Sequence, residues 1–281
     1  MPDAVRGNQE LYALYSNETV PGTLVAPATG FGFVTGARVS GKENVHVHDG
    51  IGAQQQSRYG VHEADGEVKI LAQDNQEVWA GRAYRAAGVL PSNSVGVGTT
   101  DHGLNLVGAK IDGITYDFGF DKPLESTTPL IGIYAVEDVD GGVAANLTGE
   151  ILDFLTGVLT GGLASMNVVE GSLKMANNCQ RAPGHMGARA AALKRHGTAV
   201  KEGGGEASGS LKALLPYDCG VSVDEPTAVT CTVTYTVALN TTVLALTSAK
   251  LDGASFDGDA GDGIAQYAYE LKAARSALAQ T

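Results

Sequence analysis

The sequence predicts a mainly β protein of two tandem β-sandwich or partly closed barrel units, each with about one helix. Three observations predict it. First, the chain repeats itself. Residues 104–117 (LNLVGAKIDGITYD) and 244–257 (LALTSAKLDGASFD) are identical at seven of fourteen positions: Leu104/Leu244, Leu106/Leu246, Ala109/Ala249, Lys110/Lys250, Asp112/Asp252, Gly113/Gly253 and Asp117/Asp257. Ile111/Leu251, Thr115/Ser255 and Tyr116/Phe256 keep their chemistry. A repeat this long means two copies of one structural unit. Second, several segments alternate apolar and polar residues with period two, as half-buried antiparallel strands do. Third, 38 glycines with only 6% aromatic residues fit many tight turns between short strands.

Shorter matches follow in the same order: Val34-Thr-Gly36 with Val169-Glu-Gly171, Arg58-Tyr-Gly60 with Arg195-His-Gly197, and 63–69 with 206–212. Asp138-Val-Asp-Gly-Gly142 breaks the pattern with charge and paired glycines, which divides the chain into units 1–140 and 141–281.

Along the first unit, Val45–His48, Val68–Leu71 and Leu104–Leu106 read as short strands. Gln76 to Leu90 reads as a helix, with Trp79, Ala80, Ala83, Tyr84, Ala86 and Ala87 as its apolar residues, Asn75 or Asp74 as cap, and Gly88 at its end. Leu130–Val136 reads as the strand after the long repeat. Gly149–Val158 is a second helix candidate, with Thr148 as N-cap and Glu150 and Asp153 in the first turn. In the second unit, Thr230–Leu239 places Cys231, Val233, Tyr235, Val237 and Leu239 on one face with threonines opposite. Ala265–Leu271 places Tyr267, Tyr269 and Leu271 together. Two long polar segments, Gly41–Ser57 and Asn177–Lys194, lie between strand signals; structureless loops of that length are usually functional or ordered by a partner.

Charge narrows the function. Lys and Arg number 19 against 31 acids, a net charge of −12, which argues against a general nucleic-acid-binding surface. Cys179, Cys219 and Cys231 form no CxxC and read as free thiols. The opening residues lack the apolar core of a signal peptide, and Ile151–Ala164 is too short and interrupted to span a bilayer, so synthesis in the cytoplasm without a cleaved signal is expected.

His46-Val-His48-Asp49 with His62 is the best metal candidate, because histidines two apart on a strand share a face. The further ligands of a zinc hydrolase are missing from the pattern, and polar edge-strand or loop histidines are the preferred reading. The aspartates of 257–263 have Gly261 and Ala268 where an EF-hand needs ligands, so an acidic hairpin turn is expected. Gly30–Gly36 has the wrong spacing for a dinucleotide loop, and Gly203-Gly-Gly205 lacks the Lys-Ser/Thr of a phosphate loop. No nucleophile elbow or acid/base pair stands out. No catalytic residue, metal or cofactor is expected. The alternatives are a metal-dependent hydrolase using His46, His48 and His62, and another self-assembling β surface protein.

The layout resembles tail tube proteins of tailed bacterial or archaeal viruses. Glu18-Thr-Val-Pro-Gly-Thr23 is similar to the Glu-x-x-x-Gly-Thr start common in that family. Phe31–Gly36 looks like its first strand, 63–69 followed by the Trp79 segment like its central strand and helix, and the Ala-Lys-Ile/Leu-Asp-Gly strands like its closing hairpin. The resemblance covers most of the first unit and the second more thinly. It implies a non-enzymatic virion protein of the tail, assembled in the host cytoplasm, in rings of six units whose inner strands join into a barrel. Two units per chain then need three chains per ring, with pseudo-sixfold symmetry. Rings stack through long loops, and DNA passes the lumen without specific binding; other tail proteins are partners and no membrane is. An acidic lumen would suit a polyanion. The implied ring-stacking candidates are Lys42, Glu43, His46, His48, Asp49, Gln54 and Arg58 in one loop and Arg181, Arg189, Lys194 and Arg195 in the other.

Overall fold

The computed structural model describes residues 11–50, 54–73, 79, 81–84, 89–99, 102–138, 149–153, 155, 157–161, 167–182, 196–214, 229–237, 240–258, 265–274 and 278–280. The described chain is mainly β. The first half contributes β1 (Leu11–Asn17), β2 (Thr29–Gly30), β3 (Phe33–Gly50), β4 (Gln54–Leu71), β5 (Asn93–Thr99), β6 (Gly103–Ile111), β7 (Gly113–Gly119), β8 (Lys122–Gly132) and β9 (Tyr134–Asp138). The second contributes β10 (Gly157–Gly161), β11 (Asn167–Ala176), β12 (Gln180–Ala182), β13 (Ala199–Lys201), β14 (Glu206–Leu214), β15 (Val229–Val237), β16 (Asn240–Gly258), β17 (Ala265–Ala274) and β18 (Leu278–Gln280). All but β12 and β13 belong to one hydrogen-bonded network.

The two halves have the same topology. In the first, β3-β4-β8-β7 make one sheet and β2-β1-β5-β6-β9 the facing one. In the second, β11-β14-β17-β16 make one sheet and β10-β15-β16-β18 the other. The strand β16 passes from one sheet to the other, as β6 and β7 together do around Asp112. Registers and bulges recur as well. Val95 faces Leu106 beside a bulge after Asn93, and Cys231 faces Leu246 beside a bulge after Val229. Val39 faces Gly66, and Leu173 faces Gly209.

Burial alternates along the strands. In β4, Ala64, Val68 and Ile70 are buried while Glu63, Asp65, Glu67 and Lys69 face outward. One apolar cluster runs through both halves, with Leu106, Ile111, Tyr116 and Leu130 from the first and Leu173, Leu211, Leu246 and Leu271 from the second. Trp79, Phe31 and Tyr15 close it, Phe31 meeting Trp79 edge-on with ring centroids 4.4 Å apart.

Several expectations are corrected. Segment 41–57 is not structureless: its described residues belong to β3 and β4, which pair from Phe33/Leu71 out to Gly50/Gln54. The described residues of segment 149–158 are not helical. Ile151 and Asp153 form isolated bridges to Gln73 and Pro123, the Leu152 N–H donates to the Ala72 carbonyl, and the Leu124 N–H donates to the Leu152 carbonyl. Those long-range bonds occupy the groups a helix would pair locally, and Leu152 is buried by them. Of the segment 76–90, Trp79 and Gly81 are helical and turn bonds link Arg82 to Trp79 and Tyr84 to Gly81; most of the remainder lies outside the described residues. The match of Val34 is Val168 rather than Val169, since each precedes the same bulge. Gly60 and Gly197 do not correspond, because Gly60 lies within β4 and Gly197 outside any strand; Arg195 lies outside the described residues. The counterpart of 265–271 is 124–130 rather than Leu130–Val136. The boundary 138–142 lies almost wholly outside the described residues, as do the Cys219 loop and the tip of the 257–263 turn.

Candidate functional site

The two halves meet through a shared strand pairing. Strand β7 ends the sheet β3-β4-β8-β7, and β11 begins the sheet β11-β14-β17-β16. The two pair antiparallel from Glu170/Gly119 to Ala176/Gly113. The result is one continuous sheet in the order β3-β4-β8-β7-β11-β14-β17-β16. At this seam Leu173 faces Tyr116, and both are buried. Gly171 faces Phe118; a Cβ on Gly171 would lie 2.5 Å from Phe118 Cζ, so only glycine admits that ring.

One face of this sheet covers the core and the other is polar. Across the polar face, registers align Lys69, Thr127, Thr115, Lys174, Ser208, Lys272 and Lys250 in one row. Glu125, Asp117, Ser172, Ser210 and Glu270 form the next row. Over the seam lies a cleft of about 640 Å³ walled by Glu125, Glu170, Lys122 and Lys212. Lys212 bonds Glu170 and Lys122 lies 3.6 Å away. The Lys212 hydrogen bond, with both ammonium charges, holds the Glu170 carboxyl below its ordinary range. Charges of both signs alternate on this face, so the acidic excess of the chain is not gathered there.

A second joint between the halves is made by an arm. Beyond β11 the chain kinks at Asn178, in the left-handed region at φ 49°, and its side chain donates to the Gly204 carbonyl. The arm, including the β12–β13 pair, then folds over the first half. Asp112 accepts from the N–H groups of Asn177 and Cys179. Lys110 Nζ donates to Glu202 Oε1 at 2.6 Å, and the Leu90 N–H donates to the same oxygen at 2.8 Å. Arg181 donates to the Gly132 carbonyl at 2.7 Å, to the Ala64 carbonyl and to Asp65. Cys179 and Val200 pack on Leu90 and Ile133. Burial, reinforced by Asp112 and Glu202, pushes the Cys179 thiol up to about 12. His196 stacks on Tyr134 at 4.8 Å.

The candidate residues fall into three groups. Lys42, Glu43, His46, His48, Asp49, Gln54 and Arg58 lie together on the β3–β4 hairpin, with Lys42 opposite Glu63 and His46 opposite Arg58. Lys42, His46 and Arg58 are exposed, beside exposed Val45, Val47, Tyr59 and Val61. Arg181 is half-buried and engaged within its own chain. Arg189, Lys194 and Arg195 lie outside the described residues. The structure does not gather His46 and His62 into a metal site. The Ala135 N–H donates to His62 Nε2 at 3.1 Å, which assigns the ring proton to Nδ1, and Nδ1 donates to Glu43 at 3.0 Å. Among the described residues no group of three or more His, Cys, Asp or Glu could hold a metal ion, and no helix is long and apolar enough to cross a membrane.

Two sets of residues escaped the sequence reading. Lys110 and Asp112 were visible as repeated positions, but nothing linked them to an arm. Glu18 is buried and accepts from the Gly22 and Gly108 N–H groups and the Ser92 and Ser94 hydroxyls, which explains the Glu-x-x-x-Gly spacing structurally. Gly22 sits at φ 82° under Ile133.

No protein-family model matches the chain, and no curated protein is similar to it.

Proposed function

We propose that the chain is a structural, non-enzymatic subunit of a viral tail tube. Three chains form a ring of six similar units, rings stack into a tube, and the lumen conducts DNA without reading it. The protein works in the virion tail after assembly in the host cytoplasm, with other tail proteins as partners and with no cofactor or membrane. The observation that carries this reading is the β7–β11 seam. It joins two similar units head to tail through their first and last strands, and such a joint propagates into rings or filaments rather than stopping at a pair. Open edge strands are otherwise a hazard that proteins cover. The polar face fits a lumen wall, since its row of lysines runs beside a row of acids, with serines and threonines between them. The β3–β4 hairpin, with exposed Val47 and Tyr59 beyond the body of the sheet, fits a stacking arm.

Negative-stain electron microscopy of the purified protein tests the reading. Hollow rings or tubes, with six similar lobes and threefold symmetry in top view, are expected. Single chains at every concentration, or compact particles without a lumen, would overturn it. Replacing residues 47–57 by an Asn-Gly turn is expected to leave rings and stop their stacking; normal tube growth by that variant would remove the stacking role from the arm.

A further inference from the structure

We propose that the edge of β16 at 252–258, which no strand covers among the described residues, receives residues 36–45 of β3 from a second copy of this chain, in the register that β7 uses for β11. The inference deepens the assembly reading above by naming the joint between chains, and it rests on that reading.

The register follows from equivalence. Phe256 occupies the place of Tyr116, and Val39 the place of Leu173, because Val39 and Leu173 each face the glycine at the same point of the next strand. Since Leu173 faces Tyr116 at the seam, Val39 of the incoming copy faces Phe256. The antiparallel register then sets Ala37 opposite Gly258, Arg38 opposite Asp257, and Ser40 opposite Ser255. Three features of the chain fit it. At the seam a phenyl ring needs a glycine opposite, Phe118 over Gly171. At the open edge Gly258 replaces the ring and Ala37 replaces the glycine, so the pair stays compatible. Arg38 and Asp257 bring opposite charges to neighbouring strands. Phe256 is 58% exposed where Tyr116 is 1%, as expected of a core position that lacks its covering strand.

The arm is matched too. Lys250 and Asp252 repeat Lys110 and Asp112, the pair that clasps the second arm. Lys250 is exposed and makes no ion pair among the described residues, while Asp252 pairs at the surface with Lys272. The hairpin β3–β4 has a bulge at the matching place, and there Asn44 donates to the Val61 carbonyl as Asn178 does to that of Gly204. Val45, next to that bulge, is 51% exposed, whereas the equivalent Cys179 is 6% exposed beneath its clasp. A second copy arriving in this register brings Asn44 and Val45 to Lys250 and Asp252.

Disulfide trapping tests the joint. The doubly substituted chain Ser40→Cys/Ser255→Cys is allowed to assemble and is then oxidised, and denaturing gels are read. Residues directly opposite on antiparallel strands have Cα separations of about 4.5–5.5 Å, within disulfide reach. A covalent species of three chains is expected. Mixing the two single variants is expected to stop at two chains, and Ser40→Cys/Ala254→Cys, one residue out of register, to stay at the level of the unsubstituted protein. Rings that assemble without the Ser40–Ser255 link would overturn this joint and leave the tube reading standing. Equal trapping by the off-register pair would overturn the register. Absence of any assembly would overturn both the joint and the tube reading.

Discussion

Tyr116 and Phe256 hold the same position in the two halves, yet Tyr116 is 1% exposed and Phe256 58%. Lys110 and Lys250 repeat the contrast: Lys110 is paired with Glu202 beneath the arm, and Lys250 lies in the open. The cause is one of neighbours, since the two motifs hold matching places in the sheet. The first half receives the opening strand and arm of the second. Among the described residues, no strand covers the corresponding edge of the second half at 252–258. The chain covers the closing edge of its first unit internally, and in the proposed assembly another copy covers that of the second.

Substitutions at equivalent positions sharpen the comparison. Tyr116→Ala empties a fully buried site and is expected to destabilise the isolated chain by about 4 kcal/mol in urea unfolding. Phe256→Ala is expected to change the isolated chain by less than about 1 kcal/mol and to abolish assembly; equal losses of stability would break the comparison. Lys110→Ala leaves Glu202 shielded without its cation and is expected to cost about 3 kcal/mol, against near-neutrality for Lys250→Ala in the isolated chain together with weakened ring formation by sedimentation. Gly171→Ala forces Phe118 aside and is expected to cost about 2 kcal/mol. In the Phe118→Ala background most of that cost should vanish, and strict additivity in the double-mutant cycle would contradict the proposed contact.

The smallest effect concerns the arm itself. Cys179, with its thiol pushed up to about 12, is expected to react slowly with iodoacetamide at pH 8, where the thiolate fraction is on the order of one in ten thousand. Its thiolate population grows as pH rises toward that value. Asp112→Ala removes one contributor to the shift and loosens the arm, so labelling followed by mass spectrometry should become several-fold faster. Unchanged labelling would mean that the arm opens independently of Asp112.

Much of this architecture was legible because the repeated motif encodes a repeated place in the sheet. Positions 63–69 and 206–212 align correctly, because Gly66 and Gly209 must sit under the strand that crosses them. The strand β8 was misread because Ser126 and Thr128 point inward among apolar residues, and buried hydroxyls blur an alternating pattern; Thr128 accepts from Trp79 Nε1 at 3.4 Å. The hairpin β3–β4 read as loop because charge and glutamine dominate an exposed ribbon whose order comes from backbone pairing. The seam could not be read at all. Nothing in Gly113–Gly119 or 167–176 alone says which edge another strand will choose, and the arm contacts join residues as distant in sequence as Ala64 and Arg181.

The most direct test is hydrogen–deuterium exchange on isolated and assembled protein, compared for the peptides covering 113–119 and 250–258. The account predicts strong protection of 113–119 in both states and protection of 250–258 only after assembly, because the first edge is paired within the chain and the second waits for another copy. Strong protection of 250–258 in the isolated chain, or no gain there on assembly, would contradict it.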